Sequence, residues 1–295
     1  MPQFKGIRST PLGRTPSVEA SVLLDEVDAL LKKNSIEFVP PESRNSGFYS
    51  TFFLVEKKPS GLRPILNLKP LNKLIKRQRF KMETLRTIKR AVKHNDWLCS
   101  IDLKDAYMHV PIQHCHRKFL RFEIGGKAFQ FRVLPFGLSS APRVFTKVLA
   151  PLVAKARMEG AHVFPYLDDL LIRAPSKVLA QEGVQIVLFL LKTCGFLINE
   201  WKSSLTPSQD LVYIGGHFQT SHNVVCLPQG RKAELLKFLN QFVIRPQAKA
   251  KEFLQLLGFM AACIEVVWLS RLHMRPQFSC TCSTFGAQLR EISRL

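Results

Sequence analysis

Apolar residues recur at helical spacing near the start of the chain. Val18, Val22, Val27 and Leu31, with Leu23, Leu24 and Leu30 beside them, predict an amphipathic helix ending near Lys33. Pro40-Pro41 and the polar run 42–47 break it. The aromatic and β-branched residues 51–56 predict a strand, Pro59-Ser60-Gly61 a turn, and 62–68 a returning strand. Residues 97–103 form a compact apolar segment that reads as a buried strand carrying Asp102. Residues 119–124 and 128–133 alternate around Gly125-Gly126, the pattern of a hairpin. Ser139-Ser140-Ala141-Pro142 predicts a helix start with a hydroxyl cap and a proline in the first turn, and Val144, Val148 and Leu152 follow at helical spacing. Residues 163–167 and 170–173 flank Asp168-Asp169, predicting strand, two-residue turn, strand. A helix over 177–192 is followed by Gly195 and a strand-rich stretch, 211–218. From Gln229 to Trp268 the spacing is helical again, through Leu235, Leu236, Leu239 and Phe242, then Phe253, Leu256, Leu257 and Met260. No repeat is visible. A β-rich centre with interleaved helices and a helical end is α+β, not a regular βαβ alternation.

Composition narrows this. A chain of 295 residues with 46% hydrophobic positions can build a substantial core in two or three lobes. No apolar run approaches the roughly 20 residues needed to cross a bilayer; the greasiest, 184–191, is ended by Lys192. The first 14 residues are polar and basic, with none of the apolar block of a secretory signal, so the expectation is an intracellular protein, cytoplasmic or nuclear, with no membrane partner. The seven cysteines are scattered without zinc-ligand spacing, and an odd count argues against a disulfide framework. His109, His114 and His116 read as surface or strand residues, and Trp97, Trp201 and Trp268 as packing residues.

Charge points to a partner. Forty-three Lys and Arg against 22 Asp and Glu leave +21. Between Lys57 and Lys93 stand 13 basic residues and one acid, Glu83. Such a stretch repels itself unless a polyanion lies against it, and phosphate contacts release condensed counterions. Nucleic acid is the expected partner.

The acids supply the candidate chemistry. Alone, Asp168-Asp169 is ordinary turn composition. Asp102 changes its meaning, because it too ends an apolar strand. Carboxylates converging from neighbouring strand ends repel one another unless cations lie between them. Oxygen ligands with open positions suit Mg²⁺, with Mn²⁺ as a substitute. Two such ions roughly 4 Å apart serve in-line phosphoryl transfer. The basic hairpin with Lys57, Lys58 and Arg63 is a candidate cradle for a triphosphate.

Together these segments resemble the reverse transcriptase family, in order and over about residues 20–275. The resemblance implies a right-hand polymerase fold with fingers, palm and thumb, the palm an antiparallel sheet bearing the catalytic hairpin. It divides the chain into a flexible lead-in (1–17), fingers with the N-terminal helix (18–96), palm (97–226, with a fingers insertion at about 113–140), helical thumb (227–275) and an unplaced tail (276–295). Asp102, Asp168 and Asp169 are implied as catalytic metal ligands. Lys57, Lys58, Arg63, the backbone at Asp105 and Ala106, Tyr107, Phe136, Gly137 and Lys202 are implied to hold the incoming dNTP, with Tyr107 excluding a ribose 2′-hydroxyl. Tyr213, Ile214, Gly215 and Gly216 resemble a primer grip. The implied partners are an RNA template, a DNA primer and dNTPs; the oligomeric state stays open.

The wording of residues 134–147 is most similar to retrotransposon enzymes of elements that carry a tyrosine recombinase (DIRS-like). Phe136 stands where retroviral enzymes commonly have glutamine, so that side-chain hydrogen bond does not carry over. After Asp169 only one further Asp, Asp210, occurs, so no complete ribonuclease H is expected here. Three alternatives remain: an RNA-dependent RNA polymerase, a non-catalytic nucleic-acid-binding remnant, and one part of a polyprotein with ribonuclease H elsewhere.

Overall fold

A computed structural model describes residues 17–56, 62–76, 78–244 and 250–267. The elements run α1 (Ser17–Lys32), β1 (Ile36–Phe38), β2 (Phe52–Glu56), β3 (Leu62–Leu66), α2 (Lys69–Leu74), α3 (Leu85–Ala91) and β4 (Trp97–Asp102). They continue with α4 (His114–Arg117), β5 (Arg121–Ile124), β6 (Lys127–Phe131), α5 (Ala141–Met158), β7 (His162–Tyr166) and β8 (Asp169–Ala174). The last are α6 (Lys177–Thr193), β9 (Ser204–Ser208), β10 (Asp210–Tyr213), β11 (Gly216–Gln219), β12 (Val224–Cys226), α7 (Gln229–Ile244) and α8 (Ala250–Ala262). The chain divides into two compact units, Met1–Met82 with Asp102–Glu159 and Val187–Lys202, and Glu83–Ile101 with Gly160–Ile186 and Ser203–Leu295.

In the first unit α1 turns Leu23, Val27 and Leu30 inward against β1, β2 and β3. A three-stranded sheet has the order β1-β6-β5, and β2 and β3 form a separate antiparallel hairpin. Phe122 is its fully buried centre, with the rings of Phe52, Phe129 and Phe131 at 4.8, 5.4 and 5.8 Å. Offset and tilted ring pairs at these separations add to the area that they bury. Glu37 on β1 accepts hydrogen bonds from Arg117 and Gln130. Burial alone raises its carboxyl, yet those bonds and the charges of Arg117 and Arg132 hold it below the ordinary range.

The start of α5 departs from its sequence pattern. Ser140 stands at the cap position in helical geometry, and its side chain makes no capping bond; Pro142 does lie in the first turn. The buried stripe is Phe145, Leu149, Leu152, Val153 and Ala156, so Val148, expected among the apolar positions, is exposed. Trp201, expected to pack, is 99% exposed in the turn after Asn199.

In the second unit a four-stranded sheet has the order β7-β8-β4-β9. Leu98, Cys99 and Ile101 of β4 and Leu170, Leu171 and Ile172 of β8 are wholly buried. Burial pushes the Cys99 thiol up to about 12, which leaves it an inert packing group. Gly183 of α6 brings that helix onto β8, since a Cβ there would stand 3.2 Å from the Ile172 side chain. A second antiparallel sheet, β10-β11-β12, packs its Leu211, Tyr213 and Phe218 with Ile88, Leu98 and Leu171. In the helical end, Leu256 and Leu257 are buried and Phe238 meets Phe259 at 5.1 Å; Leu235 and Leu239 are half-buried, Leu236 is exposed, and Trp268 lies outside the described residues.

One polar clamp spans three elements of this unit. Asp96, 2% exposed, precedes β4 and accepts from Arg173 of β8 at 2.8 Å and from the Lys93 amide at 2.7 Å. The Thr220 hydroxyl donates to the Asp96 carbonyl at 2.6 Å. Arg173 Nε has no hydrogen-bond partner, so its guanidinium depends on Asp96. Removing one member of a buried ion pair strands the other charge. Asp96→Ala is expected to lower the unfolding free energy by about 3–5 kcal/mol, measured by urea denaturation.

Candidate active site

The hairpin β7–β8 places the paired acids. Its register joins Val163 to Ile172, Pro165 to Leu170 and Tyr166 to Asp169. The two-residue loop is therefore Leu167-Asp168, one position earlier than the pattern suggested, because the ladder extends through Asp169. Leu167 takes φ +55°, a conformation costly for a residue with a side chain. Pro165 is tolerated because β7 is an edge strand. Asp168 is exposed at the tip, whereas Asp169, the first residue of β8, is half-buried.

Asp102 is the last residue of β4, the strand beside β8 in the sheet, and is also half-buried. Its carbonyl accepts from the Asn199 amide at 2.8 Å. Lys104 donates to the Leu197 carbonyl at 2.8 Å, and Leu103 bridges to Ile198. The chain leaving the acid is thus zipped to residues 197–199.

The next turn carries the expected nucleotide contacts. Asp105 takes φ +52°, one of the few non-glycine types that tolerate it, and is ion-paired to Lys33 at 2.9 Å. A 3₁₀ turn, Ala106–His109, follows with Ala106 buried. The half-exposed ring of Tyr107 meets Phe136 at 5.1 Å and Phe145 edge-on at 5.6 Å. Phe136, itself 56% exposed, is a ring-packing partner of Tyr107. Gly137 takes φ +90°, and Asn72 of α2 grips both sides of it, donating to the Gly137 carbonyl and accepting from the Ser139 amide, each at 2.8 Å. Sequence reasoning gave Asn72 no role. Its only signal was a polar residue beside the buried Leu71 in a short helix.

The hairpin β10–β11 turns through Ile214-Gly215 with φ of +37° and +86°, pairing Tyr213 with Gly216. A Cβ at Gly216 would come within 3.0 Å of Leu85 and 3.2 Å of Val225, so the position must be small. Tyr213 faces inward. It is 4% exposed, and its hydroxyl reaches the carbonyls of Asp169 at 3.0 Å and Phe164 at 3.3 Å. Burial raises its pKa, and the charges of Asp169 and Asp168 raise it further, so the hydroxyl keeps its proton and donates.

Among the remaining predicted residues, Arg63 lies on β3 opposite Val55, and Lys202 is exposed. Lys57 and Lys58 lie outside the described residues. Among the described residues no group of three or more His, Cys, Asp or Glu is placed to hold a metal ion. No helix among them is long and apolar enough to cross a membrane. A cavity of about 480 Å³ in the first unit, walled by Val148, Leu152, Leu190, Phe196, His109 and Lys155, contains none of the predicted site residues.

Structural neighbours define the class. The chain superposes on the foamy viral protease-reverse transcriptase solved with double-stranded DNA with a TM-score of 0.76, at 17% identity, over 96% of this chain and 47% of that one. A foamy viral protease-reverse transcriptase solved with an RNA/DNA hybrid gives 0.74 and 18%, over 94% and 35%. The fold is that of right-hand polymerases. Residues 55–218 match the family model described as reverse transcriptase (RNA-dependent DNA polymerase), and the chain belongs to that family. The Tf2-3 and Tf2-7 transposon polyproteins of Schizosaccharomyces pombe are 28% and 27% identical over 243 residues, which is 80% of this chain. The chain spans 17% of the length of those polyproteins.

Because Tyr213 ties the β10–β11 hairpin to the backbone of the acid hairpin, Tyr213→Phe is expected to cost about 1 kcal/mol of unfolding free energy. Denaturant titration of the two proteins measures it.

Proposed function

We propose that this chain is the polymerase portion of a retrotransposon reverse transcriptase, transferring dNMP from a dNTP to a primer 3′-hydroxyl under direction of an RNA template. The observation that carries this reading is the Tyr166–Asp169 hairpin: its acids follow an apolar strand, its backbone is held by Tyr213, and its second strand lies beside β4, which ends in Asp102. The family match and the transposon polyprotein relatives support it. The complexes of the structural neighbours with double-stranded DNA and an RNA/DNA hybrid support nucleic acid as the partner. We assign the parent element to the kind that carries a tyrosine recombinase, on the wording of residues 134–147, and place its action inside the cell.

The side chains of Asp102, Asp168 and Asp169 would hold two Mg²⁺. Asp102 and Asp169 stand at strand ends and Asp168 in the hairpin loop. Among the described residues they do not form a ready-made metal-holding group. What supports the reading is their donor type, oxygen only, which suits a hard cation that keeps water and substrate phosphate among its ligands. Bound there, the ions supply positive charge to the triphosphate and to the attacking and leaving oxygens. The protein's own groups do the positioning. Tyr107, backed by Phe136 and Phe145, presents a ring edge against a 2′-hydroxyl. Asn72 fixes the backbone at Gly137, on which a nucleotide would rest. Lys57, Lys58, Arg63 and Lys202 are the cations for the triphosphate, and residues 213–216 support the primer end. In this reading residues 18–96 serve as fingers, 97–226 as palm and 227–275 as thumb.

Primer extension on poly(rA)–oligo(dT) with Mg²⁺ tests the proposal. Asp168→Asn is expected to slow extension on the order of 10³-fold while template binding stays within about twofold. Salt-sensitive binding with no Mg²⁺-dependent extension by the unsubstituted chain would identify a nucleic-acid-binding remnant instead. In the same assay Tyr107→Ala is expected to weaken the preference for dTTP over UTP by about ten- to hundredfold.

A further inference from the structure

Tyr107 lies on a turn of a single 3₁₀ helix, and the segment before it enters through a left-handed residue, Asp105. So short a helix does not fix a ring by its own backbone bonds. The turn closes on His109, and both imidazole nitrogens are engaged. Nδ1 lies 3.2 Å from the Ala106 carbonyl, which can only accept; Nε2 lies 3.0 Å from the Leu197 amide, which can only donate. The partners therefore dictate the neutral tautomer with the proton on Nδ1. The ring also rests on Phe196 at 5.1 Å, and Phe196 meets edge-on the Phe145 that backs Tyr107, at 6.2 Å. Leu197 is itself bonded through its carbonyl to Lys104, two residues after Asp102. One imidazole thus joins the turn carrying Tyr107 to the segment 197–199 that holds the chain leaving the catalytic acid.

We propose that His109 is a positioning residue for nucleotide sugar selection: the Ala106 carbonyl orients its ring, and through the Leu197 amide it holds the turn from which Tyr107 projects. The assignment rests on the function proposed above and deepens it. His109 touches neither substrate nor acid; it acts through Tyr107. Ala removes both bonds. Asn, shorter by one atom, keeps a group near Nδ1 and loses the reach to Leu197. Gln places an amide oxygen near Nε2 and restores an acceptor for the Leu197 amide.

The test compares the full chain with His109→Ala, His109→Asn and His109→Gln. Amide hydrogen exchange of the 195–199 segment is read without any substrate, and single insertions of dTTP and UTP opposite poly(rA) are read alongside. For Ala and Asn the expectation is faster exchange in that segment, a three- to tenfold loss of dTTP-over-UTP preference and a raised KM for dTTP at nearly constant kcat. Gln is expected to stay within about twofold of the unsubstituted chain in all three readouts. In a Tyr107→Ala background His109→Ala should cause no further loss of preference, since the two act as one unit. Unchanged sugar preference in the folded Ala variant overturns the proposal, as do a Gln variant as impaired as Ala and additive losses in the double variant. If the unsubstituted chain fails to extend a primer, the proposed function falls and the sugar-selection role with it. Exchange of the 195–199 segment still reports whether the His109 clip exists.

Discussion

A neutral tyrosine hydroxyl buried behind two carboxylates organises the second unit. The hairpin β7–β8 carries Asp168 in its loop and Asp169 at the first position of β8. Tyr213 braces that hairpin from the inside, its single hydroxyl proton shared between the Asp169 carbonyl at 3.0 Å and the Phe164 carbonyl at 3.3 Å. The bond ties the Asp169 backbone to the β10–β11 hairpin. The same burial that makes the bond worthwhile, together with the acids' own charge, keeps the hydroxyl protonated. Around it Ile88, Leu98, Leu171, Leu211 and Phe218 close the core, so Asp169 stands at the head of a strand and Asp168 on the two-residue loop that the strand pair closes.

The first unit solves the corresponding problem for Asp102 and Tyr107 differently. There the chain leaves a buried strand and must turn sharply through Asp105. Backbone pairing with residues 197–199 and the two-sided bond of His109 hold that exit, and Asn72 does the same for the glycine turn at Gly137. In each case a short, strained piece of backbone is secured by one polar side chain whose donors and acceptors are both used. Strain of this kind persists only where the surroundings over-determine it.

Much of the candidate site was legible in the sequence because its signals are local. The apolar strands on either side of Asp168-Asp169 and the apolar run ending in Asp102 follow from period and turn chemistry. The exact turn was not. A hairpin loop at 167–168 and one at 168–169 leave nearly the same pattern, and only the pairing of Tyr166 with Asp169 decides between them. The hydroxyl cap at Ser140 failed for a similar reason: capping needs extended geometry at that residue, and the chain arrives there already helical. Val148 was assigned to packing by helical spacing and Trp201 by residue type, yet which face of a helix or turn is covered depends on its neighbours.

What the sequence determined by itself was the order of elements, the α+β class, the basic character of residues 57–93 and the apolar strands that lead into Asp102 and Asp168-Asp169. These reside in spacing and composition along the chain. The tertiary structure decided the partners of side chains that look unremarkable in sequence. Asn72 meets Gly137 across 65 residues, His109 meets Leu197 across 88, and Tyr213 meets Asp169 across 44. Hydrogen bonds over such separations leave no periodic trace, because neither partner's local conformation depends on the other's position in sequence. They exist only once the strands and turns that bring them together have formed.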